Sequence, residues 1–149
     1  MTGRINITVI GRPVGKQRPR VTRTHTYTPK KTEEYEELIK WSYLSQAGKN
    51  RIEKDIPIKM TIRFYFNAPK SYPKYKKKLV EQGELVYTKM PDIDNLIKSV
   101  TDGLNGIAYQ DDKQINTVVA SKHYTVGKER AEVEIEIIDN GAIKEVENG

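Results

Sequence analysis

Apolar and polar residues alternate with period two in three stretches, which puts one side of a pleated strand in a core. The first is residues 4–10, RINITVI, where Ile5, Ile7 and Val9 share a side. The clearest is 56–66, where Ile56, Ile58, Met60, Ile62, Phe64 and Phe66 alternate with Pro57, Lys59, Thr61, Arg63 and Tyr65. In the third, 131–138, Ala131, Val133, Ile135 and Ile137 oppose Glu132, Glu134 and Glu136. Residues 115–126 have moderate strand character, and a short strand is expected around 85–88.

Helical spacing replaces this alternation twice. Thr28 and Pro29 read as the N-cap and first residue of a helix whose stripe runs through Tyr35, Leu38, Ile39, Ser42, Tyr43 and Ala47 to Gly48. Leu96, Ile97, Val100 and Leu104 mark a second helix over 94–104, with Asp94 placed to cap it. Residues 67–83 are rich in lysine and broken by Pro69 and Pro73, so a short surface helix is expected there. About five strands and two main helices in mixed order predict an α+β fold. A single domain with a mixed sheet over 1–140 is expected, then a flexible acidic tail over 141–149.

Composition narrows the chemistry. The 149 residues include no cysteine and only His25 and His123 as imidazoles, which excludes thiol nucleophiles and thiolate zinc sites. Any metal chemistry must be carboxylate chemistry. No apolar run approaches the roughly 18 to 20 residues of a membrane span, and no secretory leader pattern is present, so a soluble cytoplasmic protein is expected. His123 falls in a strand and reads as structural, while His25 reads as a surface or phosphate-contacting residue.

The net charge of +6 is unevenly placed: Arg4, Arg12, Lys16, Arg18, Arg20, Arg23, Lys30 and Lys31 all precede the first acid, Glu33. The stretch GRPVGKQRPR, 11–20, holds two glycines and two prolines and reads as an extended basic connection. A second cluster, Lys70, Lys74, Lys76, Lys77 and Lys78, is interleaved with Tyr72 and Tyr75. Two such patches suit a polyanion, although a lysine run is also ordinary solvated surface.

The segment PDIDNLIK, 91–98, places Asp92 and Asp94 two residues apart at a helix entrance. Mg²⁺ takes one or two carboxylates directly and completes its shell with water and phosphate, which a D-x-D pair allows. A calcium loop is excluded because Leu96 and Ile97 occupy its fifth and sixth positions. The competing structural reading makes Asp94 a helix cap and Asp92 a loop residue. Lys98 stands four residues from both Asp94 and Asp102, on one polar face; it is either a salt-bridged surface lysine or an ammonium for a scissile phosphate. Asp111 and Asp112 form another pair at a turn and could add a third or fourth ligand around one or two ions.

Taken together, PDIDNLIK, DGLNG, QDDKQI and the N-terminal GRPVGKQRPR occur in an order that resembles the RusA family of Holliday-junction resolvases, over residues 4–138. The resemblance implies a small homodimeric, Mg²⁺-dependent endodeoxyribonuclease, with Mn²⁺ able to substitute. Such an enzyme nicks two symmetry-related strands of a four-way DNA junction in recombination and repair. It implies Asp92 and Asp94 as metal ligands, Lys98 as an essential lysine, and Asp112, with Asp111 as the alternative, as the third aspartate. Lys16, Arg18 and Arg20, together with Arg12 and the lysines at Lys70, Lys74 and Lys76, would then contact backbone phosphates. Tyr72, Tyr75 and Phe66 are candidates for stacking on opened bases, with core packing the favoured reading of Phe66.

Overall fold

The computed structural model describes residues 3–27 and 29–139. In chain order these form β1 (Arg4–Ile10), β2 (Arg20–Val21), β3 (Thr26–Tyr27), α1 (Lys30–Ala47), β4 (Ile58–Asn67), α2 (Lys74–Glu81), α3 (Ile93–Leu104), a 3₁₀ turn (Asp112–Gln114), β5 (Ile115–Thr125) and β6 (Arg130–Ile137). The main sheet has the order β1-β6-β4-β5, in which only β4 and β5 run parallel. The fold is therefore α+β with a mixed sheet of four strands rather than five. The difference lies at 85–88, where a single bridge between Val86 and His123 replaces the expected strand. The other small pairing, β2 with β3, is a two-residue hairpin outside the main sheet.

β4 alternates buried and half-buried residues along most of its length because it is paired on both sides. Its inward row of Ile58, Met60, Ile62, Phe64 and Phe66 is fully buried, joined by Ile7 and Val9 from β1 and Ala131, Val133 and Ile135 from β6. α1 and α3 cover this side. α1 contributes Thr32, Tyr35, Ile39 and Tyr43, so Thr32 enters the expected stripe and Leu38, 40% exposed, leaves it. α3 contributes Leu96, Val100 and Leu104. Burying such side chains stabilises by about 1.5–3 kcal/mol each, and this layer carries most of the fold's stability.

Helix starts differ from expectation by one or two residues. Pro29 occupies the N-cap of α1 rather than its first turn, and Thr28 lies outside the described residues, as do Asn140 and the tail 141–149. α3 begins at Ile93 with an extended Asp92 as N-cap residue, so Asp94 is inside the first turn and does not cap it. The physical reason is that the Leu96 amide already donates to the Asp92 carbonyl, which starts the helical ladder two residues earlier. Among the described residues no helix is long and apolar enough to cross a membrane.

The opposite side of the sheet is open and charged. Glu132, Glu134 and Glu136 form a row along β6, met by Arg4 at 3.0 and 2.8 Å from Glu134 and Glu136, and by Arg130 at 2.9 Å from Glu132. His123 stacks on Tyr65 there, with ring centroids 5.2 Å apart, as a structural histidine would. Burial, then the Arg63 charge, holds its pKa below the ordinary value.

The tightest helix contact is at Gly103, where an added Cβ would lie 3.0 Å from Cγ2 and 3.1 Å from Cβ of Ile39. An exposed helical glycine gains about 1 kcal/mol on replacement by alanine. Here Gly103→Ala is expected to lose stability instead, by about 1–2 kcal/mol, because two packed helices must separate. Urea unfolding checks the sign.

Candidate active site

α3 carries Asp94, Lys98 and Asp102 along its polar side, with Asp92 at its N-cap. Asp92 and Asp94 are exposed, and neither carboxylate has a hydrogen-bond or ion-pair partner among the described residues. An N-cap aspartate ordinarily spends its side chain on the backbone amides of the first turn. Asp92 makes no such bond, so both carboxylates remain available. Lys98 is on the same polar side, but its ammonium pairs with Asp102 at 3.1 Å, one turn further along the helix.

The basic segment 11–17 is fastened directly to this helix. The Lys16 amide donates to the Asn95 carbonyl at 2.8 Å, and Ser99 Oγ donates to the Val14 carbonyl at 2.6 Å. Gly15 makes the approach possible, since a Cβ there would fall 3.1 Å from Pro91 Cβ and 3.2 Å from Asn95 Cβ. A groove of about 530 Å³ results, lined by Arg12, Lys16, Lys31, Met90, Pro91 and Asn95 among others. Basic side chains thus stand beside the residues leading into Asp92.

Not every expected phosphate contact is free for that task. Lys16 is only 22% exposed and its ammonium sits between Glu36 of α1 and Asp102 of α3, 3.2 Å from the latter, which makes it a staple between three elements. Arg12 hydrogen-bonds Glu129 at 2.7 Å and lies over the Phe66 ring, though its side chain is 55% exposed. Phe66 itself is fully buried, in the core as expected. Arg18, Lys70 and Lys74 are exposed, and the side chain of Arg20 lies outside the described residues. Lys76 stands over the Tyr72 ring at 4.7 Å. The Tyr72 hydroxyl is shared with Tyr124 at 2.9 Å, whereas Tyr75 is 66% exposed on α2.

The second aspartate pair divides by role. Asp111 accepts the Lys113 amide at 2.9 Å and completes a capping box with Gln114 around the 3₁₀ turn. That amide, then the Asp112 side chain, holds its pKa below the ordinary carboxylate value. Asp112 is exposed, and its charge reaches the buried Tyr109 hydroxyl, as does that of Asp102. Burial first, then these two carboxylates, raise the Tyr109 pKa.

The family model for endodeoxyribonuclease RusA matches residues 11–137, a span containing all of these elements. The chain belongs to the RusA family. It is 35% identical over 129 residues, 81% of this chain and 88% of the relative, to the Bacillus subtilis (strain 168) protein called Uncharacterized protein YqaN. It is 30% identical over 102 residues, 68% of this chain and 69% of the relative, to Crossover junction endodeoxyribonuclease rusA of Lactococcus phage r1t.

RusA-family nucleases generally need a divalent ion. Among the described residues no group of three or more acidic or histidine side chains lies close enough to hold one, so the four aspartates do not form a closed cage. The uncommitted donors at the start of α3 are carboxylate oxygens alone. That set fits a hydrated hard cation, which draws the rest of its shell from water and substrate phosphate, and does not fit zinc.

Three residues around this candidate site carried little sequence signal: Glu36, Gly15 and Lys122. Lys122 is the exception in one respect, because the parity of β5 puts it on the inward side with Val118, Ala120 and Tyr124. A charge at an inward strand position is the clue that could have found it.

Lys16 supplies a pH test. Burial alone would lower its pKa, but the hydrogen bonds and charges of Glu36 and Asp102 outweigh that and raise it above the ordinary 10.5. Its contribution to stability is therefore complete below pH 10.5 and is lost as pH rises through the folded-state value. Lys16→Met is expected to cost about 1–2 kcal/mol at neutral pH, between exposed and buried ion pairs. The gap to the parent should narrow above pH 10.5 in urea unfolding; a constant gap would assign the loss to packing instead.

Proposed function

We propose that this chain resolves four-way DNA junctions as a homodimeric, Mg²⁺-dependent endonuclease acting in recombination and repair. The observation that carries the reading is the pair of uncapped, unpartnered carboxylates at the start of α3, set beside a basic groove. The match to the RusA endodeoxyribonuclease family, and the likeness to a phage protein named for crossover junctions, support the substrate class.

Asp92 and Asp94 would hold the ion, with Mn²⁺ as an alternative to Mg²⁺. When bound, that ion supplies Lewis acidity at a phosphodiester and eases deprotonation of an attacking water. Asp112 is the proposed third carboxylate, chosen over Asp111, whose side chain accepts the Lys113 amide; since no three acids converge among the described residues, it would join the ion only after a rearrangement on binding. Lys98, paired with Asp102, offers its positive charge to the phosphate where negative charge develops. Arg12, Arg18, Lys31, Lys70, Lys74 and Lys76 bind backbone phosphates without reading sequence, and Tyr75 presents an exposed ring for an unstacked base. Two nicks related by a two-fold axis require two copies of the site, which a homodimer provides.

Incubation with a synthetic four-way junction and a matched linear duplex, with and without Mg²⁺, tests the reading. Symmetric nicking of the junction alone, only with the ion, is expected; equal cleavage of linear duplex would make this a general nuclease, and no nicking with any divalent ion a binding module. Asp92→Asn and Asp94→Asn should each cut cleavage by at least about 100-fold, equivalent to about 3 kcal/mol, while junction binding persists. Lys98→Ala should slow cleavage with little change in melting temperature, since an exposed pair such as Lys98–Asp102 contributes about 0.2–1 kcal/mol. Junction affinity should fall with salt at a log slope of about −0.9 per phosphate neutralised.

A further inference from the structure

Lys122 sits on the inward row of β5, paired in register with the buried Phe64 of β4. A lysine at such a position runs its aliphatic stem along apolar neighbours and carries its ammonium to the rim. The residue is half-buried, and its ammonium is held by backbone carbonyls. It donates to the Lys89 carbonyl at 2.8 Å and to the Pro91 carbonyl at 3.0 Å, and lies 5.5 Å from the centre of the Tyr87 ring.

Tyr87 completes the arrangement by donating its hydroxyl to the Met90 carbonyl at 2.7 Å. Three consecutive carbonyls, those of Lys89, Met90 and Pro91, are thus held by two side chains. The next carbonyl, that of Asp92, accepts the Leu96 amide of α3. Asp92 therefore stands between a clamp on its N-terminal side and the helical ladder on its C-terminal side. Lys89 and Met90 are exposed, the latter by 69%, so water could satisfy the carbonyls of this stretch. The Lys122 ammonium is not needed for hydrogen-bond accounting here; what it adds is a fixed position.

We infer that Lys122 is a positioning residue for Asp92: by clamping the Lys89 and Pro91 carbonyls it sets where the Asp92 carboxylate stands toward a divalent ion, without touching substrate. The inference rests on the proposed role of Asp92 as an ion ligand. Groups that orient a ligand from outside the coordination shell typically change metal affinity by about 10–100-fold when removed. The effect of Lys122 is expected within that range.

The test uses the full chain without DNA, comparing the parent with Lys122→Met and Lys122→Arg. Mn²⁺ binding is followed by the electron paramagnetic resonance signal of the free ion, and amide hydrogen exchange is read over residues 87–93. Methionine keeps the stem and removes the charge; arginine restores two donors for the two carbonyls. Lys122→Met should weaken Mn²⁺ binding by about tenfold or more and speed exchange at 87–93, with protection elsewhere in the sheet retained, and Lys122→Arg should recover most of both. Junction binding in EDTA should be the same for all three.

Unchanged Mn²⁺ affinity in Lys122→Met would overturn the inference. So would weaker binding that comes with lost protection throughout the sheet, or an arginine variant as weak as the methionine one. A parent chain that binds Mn²⁺ yet cuts no junction would remove the proposed function and leave the comparison of variants to decide Lys122. A parent that binds no Mn²⁺ would overturn both.

Discussion

The close seating of the basic segment on α3 is the constraint from which the site follows. Gly15, Lys16 and Val14 are remote in sequence from Pro91, Asn95 and Ser99, yet two backbone-directed hydrogen bonds and a close contact at Gly15, where a Cβ would fall 3.1 Å from Pro91, hold them together. Without that seating, positive charge would sit on a loose loop and the carboxylates would face solvent alone. With it, attraction for a polyanion and oxygens suited to a hard cation share one end of the sheet. Like-charge crowding is avoided because the carboxylates of Glu36 and Asp102 absorb the one ammonium, Lys16, that the seating desolvates.

Rigid elements do the positioning. α3 buries Leu96, Val100 and Leu104 in the core cluster it shares with α1 and the sheet, so its exposed side is fixed in rotation, and Asp94, Lys98 and Asp102 project from it at one-turn intervals. α1 locks α3 through the Ile39–Gly103 contact. A site carried by packed helices and strand ends loses less geometry to thermal motion than one on a free loop.

Much of this was legible from the chain alone, for identifiable reasons. β1 and α3 are strongly periodic, and their bounds agree closely with the spacing of Ile5, Ile7 and Val9 and of Leu96, Val100 and Leu104. The common polar side of Asp94, Lys98 and Asp102 follows from helical geometry and is borne out by the Lys98–Asp102 pair. What periodicity could not show were contacts across the fold. The assignment of Asp94 as cap failed because the helix begins at Ile93, a boundary decided by backbone bonding at Asp92. The strand at 85–88 shrank to one bridge because Tyr87 turns inward onto Phe66, with ring centroids 4.5 Å apart, rather than continuing along the edge of β5. Lys16 looked like one more cation in a basic run; only the fold reveals that two acids already surround it.

The row of Glu132, Glu134 and Glu136 on the uncovered side of the sheet has an effect on how a nucleic acid can meet the molecule. Arg4, Arg63 and Arg130 pair with that row and Lys59 stands in register with Glu136, so most of the cationic charge there is met locally by carboxylates. That side is therefore close to charge balance, and a polyanion approaching it meets paired charges rather than a block of one sign.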